Sequence, residues 1–372
     1  MTFSPISDID FTLHPASSPL PAAERDALLA DPGFGTVFTD HMVTIRWSQQ
    51  AGWHDARLEP YGPLSLDPAT SVLHYAQEIF EGLKAYRQVS GQIVAFRPEA
   101  NAARFNRSAA RMAMPQLPET AFVRAIDLLV GQDHAWVPSS QSQSLYLRPF
   151  MIATDPCLGV NHASLSFLFM VIASPAGGYF GGSLRPVSVW LAQDYTRAAI
   201  GGTGAVKAGG NYGGGFAAQQ QANENGCDQV VWLDPGEHRF VEEMGGMNLF
   251  FVHGSGPGAK VVTPGLTGSL LPGITRDSLL RIAPDLGIGA EEGRISVADW
   301  QAGAQAGEIT EVFACGTAAV VTPVGMVKGE SGSWTIGDGV TPGPVTMQLR
   351  DHLLGIQFGQ IPDPYGWIHK IL

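Results

Sequence analysis

The chain has 372 residues, of which 45% are hydrophobic and 15% charged, a balance that excludes disorder and suits a soluble globular protein of two domains. A formal net charge of -12 repels phosphate backbones and argues against nucleic acid as a partner, while leaving room for one local cationic pocket. Three cysteines (Cys157, Cys227 and Cys315) make neither a disulfide framework nor a zinc cluster and point to a reducing cytoplasm, and the ten histidines show no metal-ligand spacing.

The opening residues Met1-Thr2-Phe3-Ser4-Pro5 lack the charged and apolar regions of a signal peptide. The longest apolar runs, such as Phe167 to Ala173, are too short to span a bilayer, so no membrane is expected. Thr39 to Trp47 reads as a strand. Pro98 opens a helix in which Ala102, Phe105, Ala109 and Met112 recur at helical spacing, with Arg104, Arg107 and Arg111 on the other side. Leu145 to Thr154, Phe167 to Ala173 and Val187 to Ala192 read as strands. Between the last two lies a glycine- and proline-rich stretch, Ser174 to Gly182, which suits a long hairpin loop but at this mid-chain position is better read as a domain boundary. The expected division is a small N-terminal domain over 1–175, a linker over 176–187 and a large C-terminal domain over 188–372.

Beyond the linker, Phe216 to Asn225 reads as a helix, and Gln229 to Leu233 and Asn248 to Val252 as strands. Arg276 to Leu286 is helical, with Leu279, Ile282 and Leu286 on one face. Glu311 to Ala314 is a strand ending in a turn at Cys315-Gly316-Thr317, and Gly343 to Phe358 contains a last helix. Strands and helices alternate irregularly, which argues for an α+β architecture over a doubly wound sheet.

The most informative segment is Gly201-Gly-Thr-Gly-Ala-Val-Lys207-Ala-Gly-Gly-Asn-Tyr212-Gly-Gly-Gly, one lysine among eight glycines. Glycine permits close approach of backbone to a ligand and positive φ. By composition alone, a solvated lysine on a surface loop is the better reading. The segment lacks the Gly-Lys-Ser/Thr of a phosphate loop, and Gly213 to Ala218 mimics a dinucleotide fingerprint without the strand that should precede it.

Motifs recurring in order along almost the whole chain decide between these readings. They are Phe34-Gly-Thr-Val-Phe-Thr-Asp-His-Met42, Gln77-Glu-Ile-Phe-Glu-Gly-Leu-Lys-Ala-Tyr86, Phe96-Arg-Pro98 and Leu145-Tyr-Leu-Arg-Pro149. Glu243-Met-Gly-Gly-Met-Asn248, Leu271-Pro-Gly-Ile-Thr-Arg-Asp277 and Gly316-Thr-Ala-Ala319 follow. Together they resemble the branched-chain amino-acid aminotransferases, fold type IV of the pyridoxal-phosphate enzymes. The resemblance is to the larger bacterial branch, which is itself similar to the eukaryotic enzymes. It implies a two-domain, D-amino-acid-aminotransferase-like fold: a smaller α/β N-terminal domain and a larger C-terminal domain with a pseudo-barrel sheet core. It also implies a homodimer with pyridoxal 5'-phosphate, exchanging amino groups between L-leucine, L-isoleucine or L-valine and 2-oxoglutarate by ping-pong turnover.

The same resemblance assigns residues, each with a plainer alternative. Lys207 would hold the cofactor as a Schiff base and shuttle the proton, a task that needs an amine neutral enough to act as nucleophile and base. Glu243 would face the pyridine nitrogen; otherwise Glu242-Glu243 is a solvated pair before a turn. Tyr212 would bond the phenolic oxygen, or merely pack over the glycines. Arg97, Ile274, Thr275 and Thr317 would hold the phosphate, helped by the start of the Arg276 helix; Thr275 alone suits a plain N-cap. Tyr146, Arg148 and Phe150 share one face of their strand. Tyr146 and Arg148 would line the substrate pocket with Arg148 on the distal carboxylate of glutamate, unless Arg148 serves a structural ion pair. Phe34 and Phe80 match pocket aromatics, though either suits an ordinary core. The Thr317-Ala318 turn would receive the α-carboxylate through its N–H groups. The mammalian members' Cys-x-x-Cys is replaced by Gly316-Thr-Ala-Ala-Val-Val-Thr-Pro323, so no thiol switch of that type is expected. Sibling chemistries on the same scaffold are D-amino-acid transamination, aminodeoxychorismate lysis and amine transamination. A glycine-rich nucleotide-binding protein would leave the ordered motifs unexplained.

Overall fold

The computed structural model of the protein describes residues 9–177 and 184–372. Part of the expected linker, 178–183, lies outside the described residues. In chain order the first elements are β1 (Phe11–Leu13), α1 (Ala22–Ala30), β2 (His41–Ser48), β3 (Gly52–Pro60), α2 (Val72–Tyr75), β4 (Glu78–Phe80) and β5 (Leu83–Arg87). Next come β6 (Ile93–Phe96), α3 (Pro98–Arg111), α4 (Glu119–Gln132), β7 (Ser144–Ala153), β8 (Ser166–Ala176) and β9 (Val187–Leu191). After these are α5 (Gly210–Gly213), α6 (Phe216–Glu224), β10 (Gln229–Leu233), β11 (Val241–Met244), β12 (Met247–His253) and β13 (Lys260–Pro264). The remainder is α7 (Ile274–Asp285), β14 (Gly289–Gly293), α8 (Val297–Ala306), β15 (Ile309–Gly316), β16 (Val320–Gly329), β17 (Gly332–Thr335), α9 (Pro344–Gln357) and β18 (Ile368–Lys370).

The chain divides into two compact units, Met1–Gly182 with Val206–Gly209 and Ile356–Leu372, and Ser183–Ala205 with Gly210–Gly355. The first unit therefore takes back two later pieces of chain, and one of them carries Lys207.

The first unit is a nine-stranded sheet in the order β1-β3-β2-β8-β7-β5-β6-β18, with β4 added against β7. One face is covered by α3 and α4. Their apolar stripes (Ala102, Phe105 and Ala109 on α3; Phe122, Ile126 and Leu129 on α4) are buried as the helical spacing requires. Phe105, Phe122 and Phe169 meet with ring centroids 5.4–5.9 Å apart. Each such burial contributes about 2–3 kcal/mol. Spacing placed Arg104 on the polar side of α3, but it is buried at 3% exposure because Glu81, wholly buried, pairs with it.

In the second unit, β11-β10-β9-β16-β15-β12 form a sheet, and β12 pairs back onto β11 to close a six-stranded ring. Closure removes the sheet edges and produces the expected pseudo-barrel core. Leu249, Phe250, Phe251 and Val252 of β12 are all fully buried, which is why this strand reads as a continuous apolar run without alternation. The helices here have identifiable ends. Ser296 and Asp299 form a reciprocal capping box at the start of α8, and Gly307 ends it in the left-handed region. The buried carboxylate of Glu311 accepts the N–H groups of Val345 and Thr346 at the start of α9.

Candidate functional site

The first unit assembles five of the residues singled out in the sequence. Val206–Gly209 runs along β4: Lys207 O accepts the Phe80 N–H at 3.0 Å, and Ala208 bridges Ile79. The Lys207 N–H donates to Ser108 Oγ of α3 at 3.1 Å. With its backbone bonded on both sides, Lys207 has a fixed origin. Its half-buried side chain brings Nζ to 4.8 Å from the centre of the Phe80 ring. The lysine is half-buried with its backbone held on both sides, which argues against the composition-based reading of a solvated loop lysine; the segment is a turn-rich loop pinned by one isolated bridge at Ala208.

On the same sheet, β7 turns Tyr146, Arg148 and Phe150 to one face, and all three are half-buried while Leu145, Leu147 and Pro149 are buried. The Arg148 guanidinium lies 4.8 Å from the Phe80 ring and 5.4 Å from the Tyr146 ring, and Nη2 donates to Tyr146 Oη at 3.1 Å. Phe34 meets Tyr146 edge-on at 5.2 Å. Among the described residues Arg148 makes no ion pair, and its buried Nε has no partner. Arg148 is thus a half-buried cation framed by aromatic rings, without a direct ion pair among the described residues. The sequence reading missed Glu78, on the same short strand. Burial holds its carboxyl above the ordinary range, with the charge of Arg148 acting the other way.

Arg97 also belongs to this unit, as the N-cap of α3 in front of Pro98. Between its strand and its helix stands the buried pair Glu81–Arg104. Arg104 Nε and Nη2 donate to the two carboxylate oxygens at 2.8 and 2.7 Å, and Asn101 adds a bond at 2.7 Å. Glu81 follows Phe80 directly, so this pair ties the strand beside Lys207 to the helix headed by Arg97.

The second unit carries a separate cluster around Glu243. Both Glu242 and Glu243 are buried, which overturns the alternative of a solvated pair before a turn. Glu242 accepts from Ser269 Oγ at 2.5 Å, and burial lifts its carboxyl above the usual carboxylate range. Glu243 receives the Leu271 N–H at 2.6 Å and Asn248 Nδ2 at 3.3 Å on one oxygen, and Arg197 Nε at 3.1 Å on the other. Arg197 is itself buried. Its Nη1 donates to Ser269 O at 2.8 Å, while Nη2 is buried with no partner among the described residues. Neither Arg197 nor Asn248 received a role from the sequence. Asn248 sat visibly inside a motif; Arg197 had no signal beyond its nearness to the glycine segment.

Tyr212 lies in the short helical turn α5, where its ring packs 3.1 Å from where a Cβ on Gly246 would stand. Gly246 belongs to the turn that follows the Glu243 strand, so Tyr212 packs against the turn at the end of that strand. Helix α7 begins at Ile274 with Gly273 as its N-cap, and Thr275, two positions in, makes no capping bond. The plain N-cap reading of Thr275 is therefore corrected. The first turn still presents N–H groups that the helix itself does not use, together with its positive dipole end. β15 runs on to Gly316, so the turn is Thr317 to Ala319, two residues later than predicted. It closes on Val320, a β-branched residue held at φ 62°, the kind of strain that a functional turn maintains. Cys315, beside it, is fully buried and its thiol is pushed well up by burial, which suppresses thiolate chemistry.

The chain as a whole is similar to known proteins. Residues 78–327 match the family model for amino-transferase class IV, two thirds of the chain. The chain belongs to the class IV aminotransferases. It is 58% identical over 364 residues to the branched-chain-amino-acid aminotransferase of Mycolicibacterium smegmatis, covering 98% of both chains. Its fold matches the Escherichia coli branched-chain amino acid aminotransferase with a TM-score of 0.72 at 26% identity, covering 88% of this chain and 99% of that one. The same fold recurs in the branched-chain amino acid aminotransferase of Thermobaculum terrenum in its PLP-form, with a TM-score of 0.72 at 22% identity, covering 90% of this chain and 98% of that one.

Proposed function

We propose that this branched-chain amino-acid aminotransferase uses Lys207 to hold pyridoxal 5'-phosphate and to move the reacting proton. The observation that carries the reading is the pinned lysine: both backbone bonds are made, and its amine lies 4.8 Å from the centre of the Phe80 ring, the ring that Arg148 also meets. The residues fit the cofactor chemically. Arg197 Nη2, buried and without a partner among the described residues, stands beside Glu243, so an acceptor on a bound group has a donor waiting. Glu243 would accept from the pyridine nitrogen, and Tyr212 would donate to the phenolic oxygen. Arg97, the N–H groups of Ile274 and Thr275, and Thr317 would hold the phosphate.

When bound, the cofactor supplies an electron-withdrawing ring that stabilises negative charge at the substrate Cα. The chain does the rest. Lys207 Nζ takes the Cα proton and returns it elsewhere on the reacting pair. The Glu243 carboxylate, held by Arg197 and two N–H donors, would favour the protonated form of a pyridine nitrogen placed against it. The N–H groups of Thr317 and Ala318 orient the α-carboxylate. Phe34, Phe80 and Tyr146 accept the apolar side chains of L-leucine, L-isoleucine and L-valine. Arg148, half-buried between the Phe80 and Tyr146 rings, meets the distal carboxylate of glutamate or 2-oxoglutarate. The two half-reactions alternate, so one pocket serves apolar and acidic partners in turn.

The enzyme works as a homodimer in the cytoplasm, a setting that suits its three free cysteines. Among the described residues no helix is long and apolar enough to cross a membrane. The test is the visible spectrum of the purified protein, followed by L-leucine without an oxo acid. Bleaching of the cofactor band is expected, along with loss of that response in Lys207→Ala. A band indifferent to L-leucine transfers the protein to a sibling chemistry. Full turnover by Lys207→Ala refutes the role of the lysine.

A further inference from the structure

Arg97 sits where an arginine rarely sits. Its backbone is in the left-handed region, φ 52° and ψ 46°, at the head of α3. Such a conformation persists only where neighbours hold it. Here the neighbour is the end of the chain. Trp367 O accepts the Arg97 N–H at 2.8 Å, and the indole lies against the guanidinium with Cζ 4.9 Å from the ring centre. Trp367 is 7% exposed and is itself fixed. Phe96 meets it edge-on at 5.7 Å, Tyr365 stacks on it at 4.0 Å, and the next residue, Ile368, pairs with Phe96 in the sheet. The turn that delivers it is bonded by Asp363, whose carboxylate accepts the N–H groups of Tyr365 at 3.1 Å and Ile368 at 2.8 Å.

We propose that Trp367 is a positioning residue for the cofactor phosphate, fixing both the backbone and the guanidinium of Arg97 from the C-terminal strand. The inference rests on Arg97 being a phosphate ligand. Its physical content is preorganisation: a guanidinium already held by a ring face and a carbonyl loses less freedom when the anion arrives. The benefit therefore belongs to the phosphorylated ligand and not to the rest of the cofactor.

The experiment compares wild type with Trp367→Leu, Trp367→Phe, Arg97→Ala and the double variant Arg97→Ala/Trp367→Leu. Each full-length protein is stripped of cofactor and titrated with pyridoxal 5'-phosphate and, separately, with pyridoxal. Leucine keeps apolar volume without a π face, and a thermal scan of each apoprotein checks that it folds. Trp367→Leu is expected to weaken pyridoxal 5'-phosphate about tenfold, within the range of a partly desolvated cation–π contact, and to leave pyridoxal unchanged. Trp367→Phe should recover most of that loss, and Trp367→Leu should add nothing in the Arg97→Ala background. Equal weakening of both ligands, no weakening of either, or a full additional loss on top of Arg97→Ala overturns the proposal. An Arg97→Ala variant that keeps the preference for the phosphorylated ligand instead removes the Arg97 assignment, and the role of Trp367 falls with it.

Discussion

Replacing Glu81 by Gln tests how the scaffold behind Lys207 is held. Glu81 is wholly buried and Arg104 is 3% exposed, so neither charge has water to fall back on. The carboxylate accepts two bonds from Arg104 at 2.8 and 2.7 Å, one from Asn101 at 2.7 Å and the Gly82 N–H at 3.2 Å. Gln keeps the shape and removes the charge, which leaves a buried guanidinium uncompensated at a cost of about 3–5 kcal/mol. That is a large part of a stability of about 5–15 kcal/mol, and for a unit of this size it lowers the melting temperature by roughly 6–20 °C. Calorimetry at pH 7 measures it. The double variant Glu81→Leu/Arg104→Met, with neither charge present, should recover most of the loss. A pH series supplies an independent check. Burial raises the Glu81 carboxyl, but the charge and hydrogen bond of Arg104, with Lys207 and Asn101, outweigh it and hold the carboxyl below the ordinary value of 4.5. A lowered folded-state value means stability that is present above 4.5 and lost as the pH falls through the folded value. Wild type should show that acid loss, and Glu81→Gln should lack this component. A single variant within about 1 kcal/mol of wild type, or a double variant no better than the single, would refute the account of a coupled buried pair.

Three other outcomes are expected. In Gly82→Ala the new Cβ lands on Tyr146 Oη, so Tyr146 and the Arg148 bonded to it must move; steady-state kinetics should show a raised KM for both substrate types with the cofactor spectrum retained. Arg197→Met removes the counter-charge of Glu243, and cofactor affinity should fall about tenfold by equilibrium titration, a loss of about 1.4 kcal/mol for one buried charge-assisted bond. Cys157 is half-buried whereas Cys315 is fully buried with its thiol raised, so mass spectrometry after alkylation should find Cys157 modified first and Cys315 only on unfolding.

The residues legible in the sequence were those whose role is local. α3 could be placed from Pro98 and its apolar spacing, and the shared face of Tyr146, Arg148 and Phe150 from strand alternation alone. Ranges drifted by a residue or two where an end is set from elsewhere. α7 starts at Ile274 because Gly273 supplies the cap, and the Thr317 turn falls late because β15 stays paired with β16 through Gly316↔Val320. What stayed illegible was pairing over long separation. Arg104 reads as a surface arginine until Glu81, 23 positions away, is seen to be buried against it. Arg197 gives no sign that its charge belongs to Glu243. The return of Val206–Gly209 and of the C-terminal segment into the first unit likewise depends on sheet edges that no periodicity reports.

The glycines illustrate the same limit. Of the eight around Lys207, only Gly201 has positive φ, so left-handed backbone is not why the segment needs them. Two of them are there for room. A Cβ on Gly209 would fall on the Glu78 carboxylate, and one on Gly204 would fall on Ser269 O, the carbonyl that Arg197 also uses. Outside the segment the pattern repeats: Gly82 makes room for Tyr146 Oη, and Gly273 for Asn248 Oδ1, whose amide nitrogen reaches Glu243. In each case a missing side chain lets a polar group of the candidate site come within contact of backbone. A phosphate-loop reading looks for such glycines to cradle a ligand directly. In this chain these four instead admit the residues that would hold the ligand, or their immediate partners. Alanine at any of them would therefore act first on Glu78, Tyr146, Asn248 or the Ser269 carbonyl that Arg197 uses, with the backbone dihedral left acceptable.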